Sequence, residues 1–400
     1  RRGRVGCDDG PNLSNSSTDD EVQRRPLETN GDDYSTMYDT IQSTLWENLA
    51  DVYNSSRVVR RGDIDPESGV RESGHRILWP LPTTNNELSI INGDCNIGFL
   101  PTITGPNSPG WITVTEHGIH QSFDLTRVMF SRGNVTEKRR FGSALVRPEE
   151  CVLDMYAGIG YYTLPALIHG CAKHVTACEW NVHALEALRY NLTANGVESR
   201  TTVLEGDCRV SLRRLIEQQS HTTSANTNNR CNQFDRISLG LLPSSEGGWV
   251  TAVSCLRRST GGWLHVHGNV PTAEQKGWTH WLCRSLARIS AEGQRRRNND
   301  DGDESNRRRR SDWIAVCTHV EKVKSFAPRI DHVVADVFVG PCDSPLVPLP
   351  LEGISGFYNS TGVVDSLSGR FDPTPCVAPP PSCALGEEGV LHQDWLREQQ

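Results

Sequence analysis

From Cys151 onward the chain alternates short apolar runs with segments of helical spacing, and this alternation limits the possible folds more than any other feature. The apolar runs lie at Cys151 to Met155, His174 to Cys178, Thr201 to Leu204, Phe234 to Leu239 and Trp263 to Val266. Strand and helix in strict succession build a parallel sheet with crossover helices on its faces. Two later runs, Trp313 to Val320 and His332 to Val339, are joined by a link containing Pro328 that is too short for a crossover, so they pair antiparallel. Five parallel strands and an antiparallel pair make an α/β, Rossmann-like layout.

Acidic residues stand where the strands end. Asp154 closes the first strand in LDMYAGIGYYTLP, and the G-x-G turn of Gly158 and Gly160 leads on into a helix. Glycines there let the backbone approach a ligand with no Cβ in the way. Glu179, 25 residues after Asp154, closes the second strand in ACEWN, where a carboxylate accepts ribose hydroxyls. Asp207 in EGD closes the third, at the place where adenine is read. Three acids at one sheet edge make a nucleoside site at the topological switch point, although the same acids also suit helix caps and solvated turns. The loop lacks the third glycine and short helix entry that favour a pyrophosphate. S-adenosylmethionine therefore fits better than a dinucleotide, and the expected fold is class I S-adenosylmethionine-dependent methyltransferase-like, with a small N-terminal α+β module.

Composition divides the rest. Residues 1–37, rich in Ser, Asn, Asp and Arg, read as a disordered leader. Residues 38–130 read as the small module, which includes RILWPLP and a hairpin, WITVTEHGIHQSFDL, turning at His-Gly. Residues 131–340 form the expected catalytic domain, with a low-complexity insertion of alternating charge blocks at 293–310, and 341–400 a Pro-rich, poorly ordered tail. The chain opens on Arg1, as a fragment of a longer protein would. No run reaches the ~18 apolar residues of a membrane span, and no secretion signal is visible, which points to a cytoplasmic protein. Thirteen cysteines without a C-x-x-C pair point to reduced thiols.

A net charge of −8 argues against a generic nucleic-acid binder. Between Arg127 and Arg147, however, six basic residues face one acid, Glu137. They form a candidate phosphate-facing patch or, equally on charge alone, a solvated face. His265 and His267 share a strand face, but with no third ligand in view they read as core or pocket-lining residues, and no metal is expected.

Together FSRGNVTEK (Phe130 to Lys138), LDMYAGIGYYTLP, ACEWNVHALEALRYNL and LGLLPSSEGGW resemble the wybutosine-synthesis aminocarboxypropyltransferases, relatives of the tRNA guanine methyltransferases that act beside the anticodon. The resemblance runs from about Arg57 to Val339. It implies transfer of the 3-amino-3-carboxypropyl group of S-adenosylmethionine to demethylwyosine, a tricyclic guanosine derivative in phenylalanine tRNA. It also implies donor contacts at Ser131, Lys138, Glu179, Asp207 and Cys208, with Lys138 meeting the methionyl carboxylate. Glu137 aligns with a carboxylate that acts as base in the methylating relatives, and is the candidate base here. Arg132 is expected to face the tRNA, and the small module to dock it. A monomer is expected.

The loop LGLLPSS is the departure from a base-nitrogen methyltransferase, which would carry Asn or Asp there to grip an amino group. A sulfonium activates all three of its carbons, so the transferred group is the one aimed at the nucleophile. A carbon acceptor in a fused ring wants an apolar wall, which Leu239, Leu241, Leu242 and Pro243 supply, although a strand end followed by a helix start accounts for them equally well. Base methylation and a noncatalytic scaffold that binds S-adenosylmethionine or RNA stay open as alternatives.

Overall fold

The structure is a computed structural model that describes residues 43–62, 73–80, 100–220, 233–300, 313–348, 362–364 and 371–372. The leader at 1–37 lies outside them. Near the N-terminus, β1 (Val58–Arg60) pairs antiparallel with β2 (Arg76–Trp79), and β3 (Trp111–Glu116) with β4 (Ile119–Asp124). The second hairpin turns at His117 (φ 51°) and Gly118 (φ 79°). Positive φ at both central residues matches the twist of the flanking strands. Neither pair joins the main sheet.

A short helix, α1 (Val135–Arg140), leads into the alternating region. There β5 (Cys151–Asp154), α2 (Thr163–Ile168), β6 (His174–Glu179), α3 (Val182–Ala194), β7 (Thr201–Glu205), α4 (Cys208–Ser220), β8 (Arg236–Leu239), α5 (Trp249–Cys255), β9 (Gly262–Pro271) and α6 (Gln275–Asp300) follow in turn. The hairpin of β10 (Trp313–Ala327) and β11 (Ile330–Pro341) comes last, with two short edge strands, β12 (Gly362–Val364) and β13 (Phe371–Asp372). The sheet order is β13-β12-β10-β11-β9-β8-β5-β6-β7. β5 to β9 are parallel, whereas β11 runs antiparallel to both β9 and β10. This is the Rossmann-like, class I methyltransferase fold. The chain leaves β5 in one direction and returns to its other side at β8, which puts the switch point at the C-terminal end of β5.

Both faces of the sheet are covered, which is why the strands read as unbroken apolar runs. Alternate residues of β5 serve opposite cores: Leu153 packs with Leu264, Val266, Trp249 and Leu282, and Val152 with Val175, Ala177, Leu164 and Leu188. α6 buries Trp278, Leu282, Leu286 and Ile289, a stripe at helical spacing.

The β3–β4 hairpin is fastened to α3 by two asparagines one turn apart. Asn191 Oδ1 accepts from the Ser122 N–H (2.7 Å) while its amide donates to the Ser122 and Ile159 carbonyls (3.0 Å each). Asn195 Oδ1 accepts from the His120 N–H (3.1 Å), and its amide donates to the His120 carbonyl (2.7 Å). Each side chain supplies the donor and acceptor that a neighbouring strand would have offered to an exposed edge. Phe123 completes the joint by packing with Ile159, Ala184 and Ala187. A domain boundary at residue 130 therefore cuts through a packed interface.

Three other expectations need correction. The insertion at 293–310 is helical through Asp300, because α6 continues past its apolar stripe; residues 301–310 lie outside the described ones. Within the 341–400 tail, β12 adds to the sheet, with Val316 paired to Gly362 and Cys317 to Val363, because β10 otherwise offers an open edge. Seven described cysteines are free, but Cys151 is disulfide-bonded.

Candidate active site

The C-terminal ends of β5 to β7 and the loop after β8 open on one cleft of about 370 Å³. Of the acids at the strand ends, Glu179 and Asp207 line it and Asp154 does not. Glu179 accepts the N–H groups of Gly158 (2.7 Å), Trp180 (2.9 Å) and Asn181 (2.8 Å). It thereby ties the glycine turn to β6. A carboxylate has about four acceptor sites, so one remains for a ligand hydroxyl. Burial pushes this carboxyl up, against the pull of the three N–H donors.

Asp207 sits just past the end of β7 and takes the Arg209 guanidinium, with Nη2 2.6 Å from Oδ2. Burial works against its charge, but Arg209 outweighs it and holds the carboxyl below the ordinary range. Cys208, beside it on the wall, is buried, and burial pushes its thiol up to about 12, so it is a neutral, apolar surface. Asp154 lies beneath the turn, fully buried, where it accepts the Thr163 hydroxyl (2.8 Å) at the start of α2. Burial raises its carboxyl to about 6. Gly158 (φ 57°) lines the cleft, and a Cβ there would come 2.8 Å from the Tyr161 ring. Gly160 (φ 104°) is needed for packing instead, since a Cβ would meet Leu164 at 2.9 Å.

Ser131 lines the cleft, held through its N–H to the Tyr161 hydroxyl (3.4 Å), which in turn donates to the Met129 carbonyl (2.9 Å). Lys138 is not on the wall. Its ammonium pairs with Glu116 of β3 at 2.5 Å and lies over the rings of Phe130 and Tyr161, 5.3 and 5.1 Å from their centroids. Burial lowers its pKa, with Glu116 opposing. Arg132 is exposed and Pro243 is not part of the wall, whereas Leu241 and Leu242 are. The basic run between Arg127 and Arg147 does not form one face, since Lys138 and Arg140 turn inward to acids while Arg132, Arg139 and Arg147 stay exposed.

Behind the far end of the cleft lies a closed ionic cluster. Arg140 donates to both oxygens of Glu137 (2.8 Å each) and to Asp336 on β11 (2.7 Å). His265 on β9 puts Nδ1 2.7 Å from Asp336 and Nε2 3.0 Å from Glu137. Burial opposes every charge here. The two acids nevertheless raise His265, while His265 and Arg140 hold Glu137 below its ordinary range and Asp336 far below it. Two anions and two cations thus balance out of water. Glu137, the expected base, is buried behind the wall with both oxygens engaged by Arg140 and one also by His265, so it does not face the cleft.

Sequence reading missed several residues of the wall. Trp180, 56% exposed, stands at the rim beside Glu179. Tyr161 and Tyr162 follow the glycine turn as YY and line the cleft, as does His332, while His267, read from the sequence as core or pocket-lining, lines it too. A large aromatic directly after a strand-ending acid was a usable signal for Trp180. Nothing in the local sequence distinguishes His332. The glycine turn, the remaining acceptor site of Glu179 and the aromatic rim fit an adenosine-containing ligand.

Residues 112–271 match the family model of the TRM5/TYW2 methyltransferase domain. A tRNA wybutosine-synthesizing protein 2 homolog of Rattus norvegicus is 33% identical over 345 residues, covering 78% of this chain and 68% of that protein. This chain belongs to the tRNA wybutosine-synthesizing protein 2 family. The tRNA wybutosine-synthesizing protein 2/3/4 of Arabidopsis thaliana is 37% identical over 301 residues, 75% of this chain and 24% of that one. The chain therefore spans about a quarter of the length of the plant relatives it matches. The crystal structure of PH0793 from Pyrococcus horikoshii superposes with a TM-score of 0.50 at 22% identity, over 76% of this chain and 86% of that chain, and supports the fold. No helix among the described residues is long and apolar enough to cross a membrane.

Proposed function

We propose that this chain transfers the 3-amino-3-carboxypropyl group of S-adenosylmethionine to a carbon of demethylwyosine in phenylalanine tRNA, releasing methylthioadenosine. S-adenosylmethionine is a substrate here, and its sulfonium supplies the electrophilic γ carbon. The observation that carries the reading is the wall of the cleft beyond β8, where Leu241 and Leu242 stand in place of an amide or acid. A fused aromatic acceptor attacking through carbon needs stacking and shape there, not a grip on an exocyclic nitrogen. Membership of the tRNA wybutosine-synthesizing protein 2 family points the same way. Glu179 and Gly158 would hold the ribose, Asp207 and Trp180 the adenine, and Ser131 and Asn134 the neighbourhood of the methionyl arm. Arg132 and Arg139, exposed, face the tRNA, and the region 38–130 docks it.

The test is a double-label assay with tRNA bearing demethylwyosine. Donor labelled on the carboxyl carbon should leave its label in the RNA, and donor labelled on the methyl should not. Methyl label in the RNA would make the chain a base methyltransferase. Neither label in the RNA, with donor still bound, would make it a scaffold.

A further inference from the structure

Joining a ring carbon to a new substituent releases the proton that carbon carried, and a group at the cleft wall must take it. His267 is placed for that task. It is 2% exposed, lines the cleft, and puts Nδ1 2.9 Å from His332 Nε2, while its own Nε2 has no hydrogen-bond partner among the described residues. The strand that carries it is laced to the apolar loop: the Asn269 N–H donates to the Pro243 carbonyl (2.9 Å), and Ser244 pairs with Gly268. Leu242 and His267 are thus parts of one rigid wall.

We propose that His267, in the tautomer that donates Nδ1–H to His332, accepts through Nε2 the proton displaced from the acceptor carbon. The inference rests on the transfer reading above. The acceptor carbon bonds to the γ carbon as the γ-carbon–sulfur bond breaks, and that electron pair leaves with the sulfur of neutral methylthioadenosine. The C–H pair then returns to the ring as the proton passes to His267. One positive charge moves from donor to ring to imidazole, and none is created in a dry site, where a new charge would be costly.

The surroundings keep His267 neutral and ready. Burial, with the like charges of His265 and Arg140, holds it well below the ordinary histidine range. The Tyr162 ring packs against it at 5.1 Å, and His332 is itself lowered to about 4 by burial and Lys324. Glu137 and Asp336 fix the proton on His265, whose ring lies 5.2 Å from that of His267, so they set its charge from behind.

Single-turnover transfer to tRNA bearing demethylwyosine, with hydrogen or deuterium on the acceptor carbon, tests this with the intact chain. His267→Gln should slow transfer by ~10²–10⁴-fold and introduce a primary isotope effect, because proton loss then limits the rate. Affinity for methylthioadenosine should not change, and the ¹⁵N spectrum of the native protein should place the His267 proton on Nδ1. A native rate in His267→Gln, a slowdown matched by lost methylthioadenosine affinity, or a proton on Nε2 would each overturn the proposal. Should that variant fail to fold, His332→Phe, which removes the acceptor that orients His267, is expected to slow transfer by roughly 10-fold or more, and a native rate there would overturn it. If the native protein moves no carboxyl label into RNA, the transfer reading itself fails and this inference falls with it.

Discussion

The two ends of the cleft are built by opposite means. At the end formed by β5 to β7, most holding contacts lie close in sequence: Glu179 takes the N–H groups of Trp180 and Asn181 and, 21 positions away, of Gly158, and Asp207 takes Arg209. At the end formed by α1, β9 and β11, Arg140 reaches Asp336 across 196 positions, and His267 meets His332 across 65. The first end is a set of loops whose geometry is largely local. The second exists only when three distant elements are packed, so binding and folding are separable at the first end and inseparable at the second.

That contrast is open to attack, beginning with the largest effect. Arg140→Met leaves Glu137 and Asp336 buried without their shared cation, and is expected to cost about 3–5 kcal/mol, read by urea denaturation. If stability barely falls, the cluster is not the keystone of its end. Asp154→Asn comes next. The folded carboxyl lies at about 6 and the unfolded one near 3.8, so Asp154 contributes stability that is full below the unfolded value and lost as pH rises through about 6. The asparagine should accept the Thr163 hydroxyl equally well, remove this pH dependence between 4 and 6, and stabilise the protein at pH 7 by up to about 3 kcal/mol. Melting curves that keep their slope against pH would show the acid to be less strained than its burial implies.

Glu179→Ala sharpens the other side. Methylthioadenosine binding should weaken by about 1.5–3 kcal/mol in calorimetry, with the cluster at the far end intact. Unchanged affinity would remove Glu179 from the ligand. The smallest expected effect is at the hairpin joint, where Asn195→Ala loses two hydrogen bonds to His120 and should cost about 1 kcal/mol each, read by thermal melting. Faster amide exchange confined to β3 and β4 would accompany it.

The far end also responds to pH in two directions. His265 is raised by its two acids, so its contribution is complete below the unfolded histidine value and fades as pH rises through the raised one. Asp336 is depressed by His265 and Arg140, so its contribution is present above the unfolded carboxylate value and fades as pH falls.

Much of the first end could be read from the chain. Apolar runs alternating with helical segments, the glycine turn and the acids at successive strand ends all lie within short windows. Glu137 and Lys138 show where such reading stops. Both sit in a recognisable segment, yet whether a charge faces the cleft or the core depends on what opposes it, and Glu116, His265 and Asp336 arrive from elsewhere in the chain. The same holds for α6, whose charge blocks read as an insertion although its helix runs on to Asp300.

The sequence by itself determined the layered α/β architecture and the acids and glycine turn at successive strand ends, because local periodicity and turn chemistry dictate both. Tertiary packing alone decided which acid is free and which histidine is neutral, because burial and the nearest opposite charge set protonation, and those neighbours are long-range.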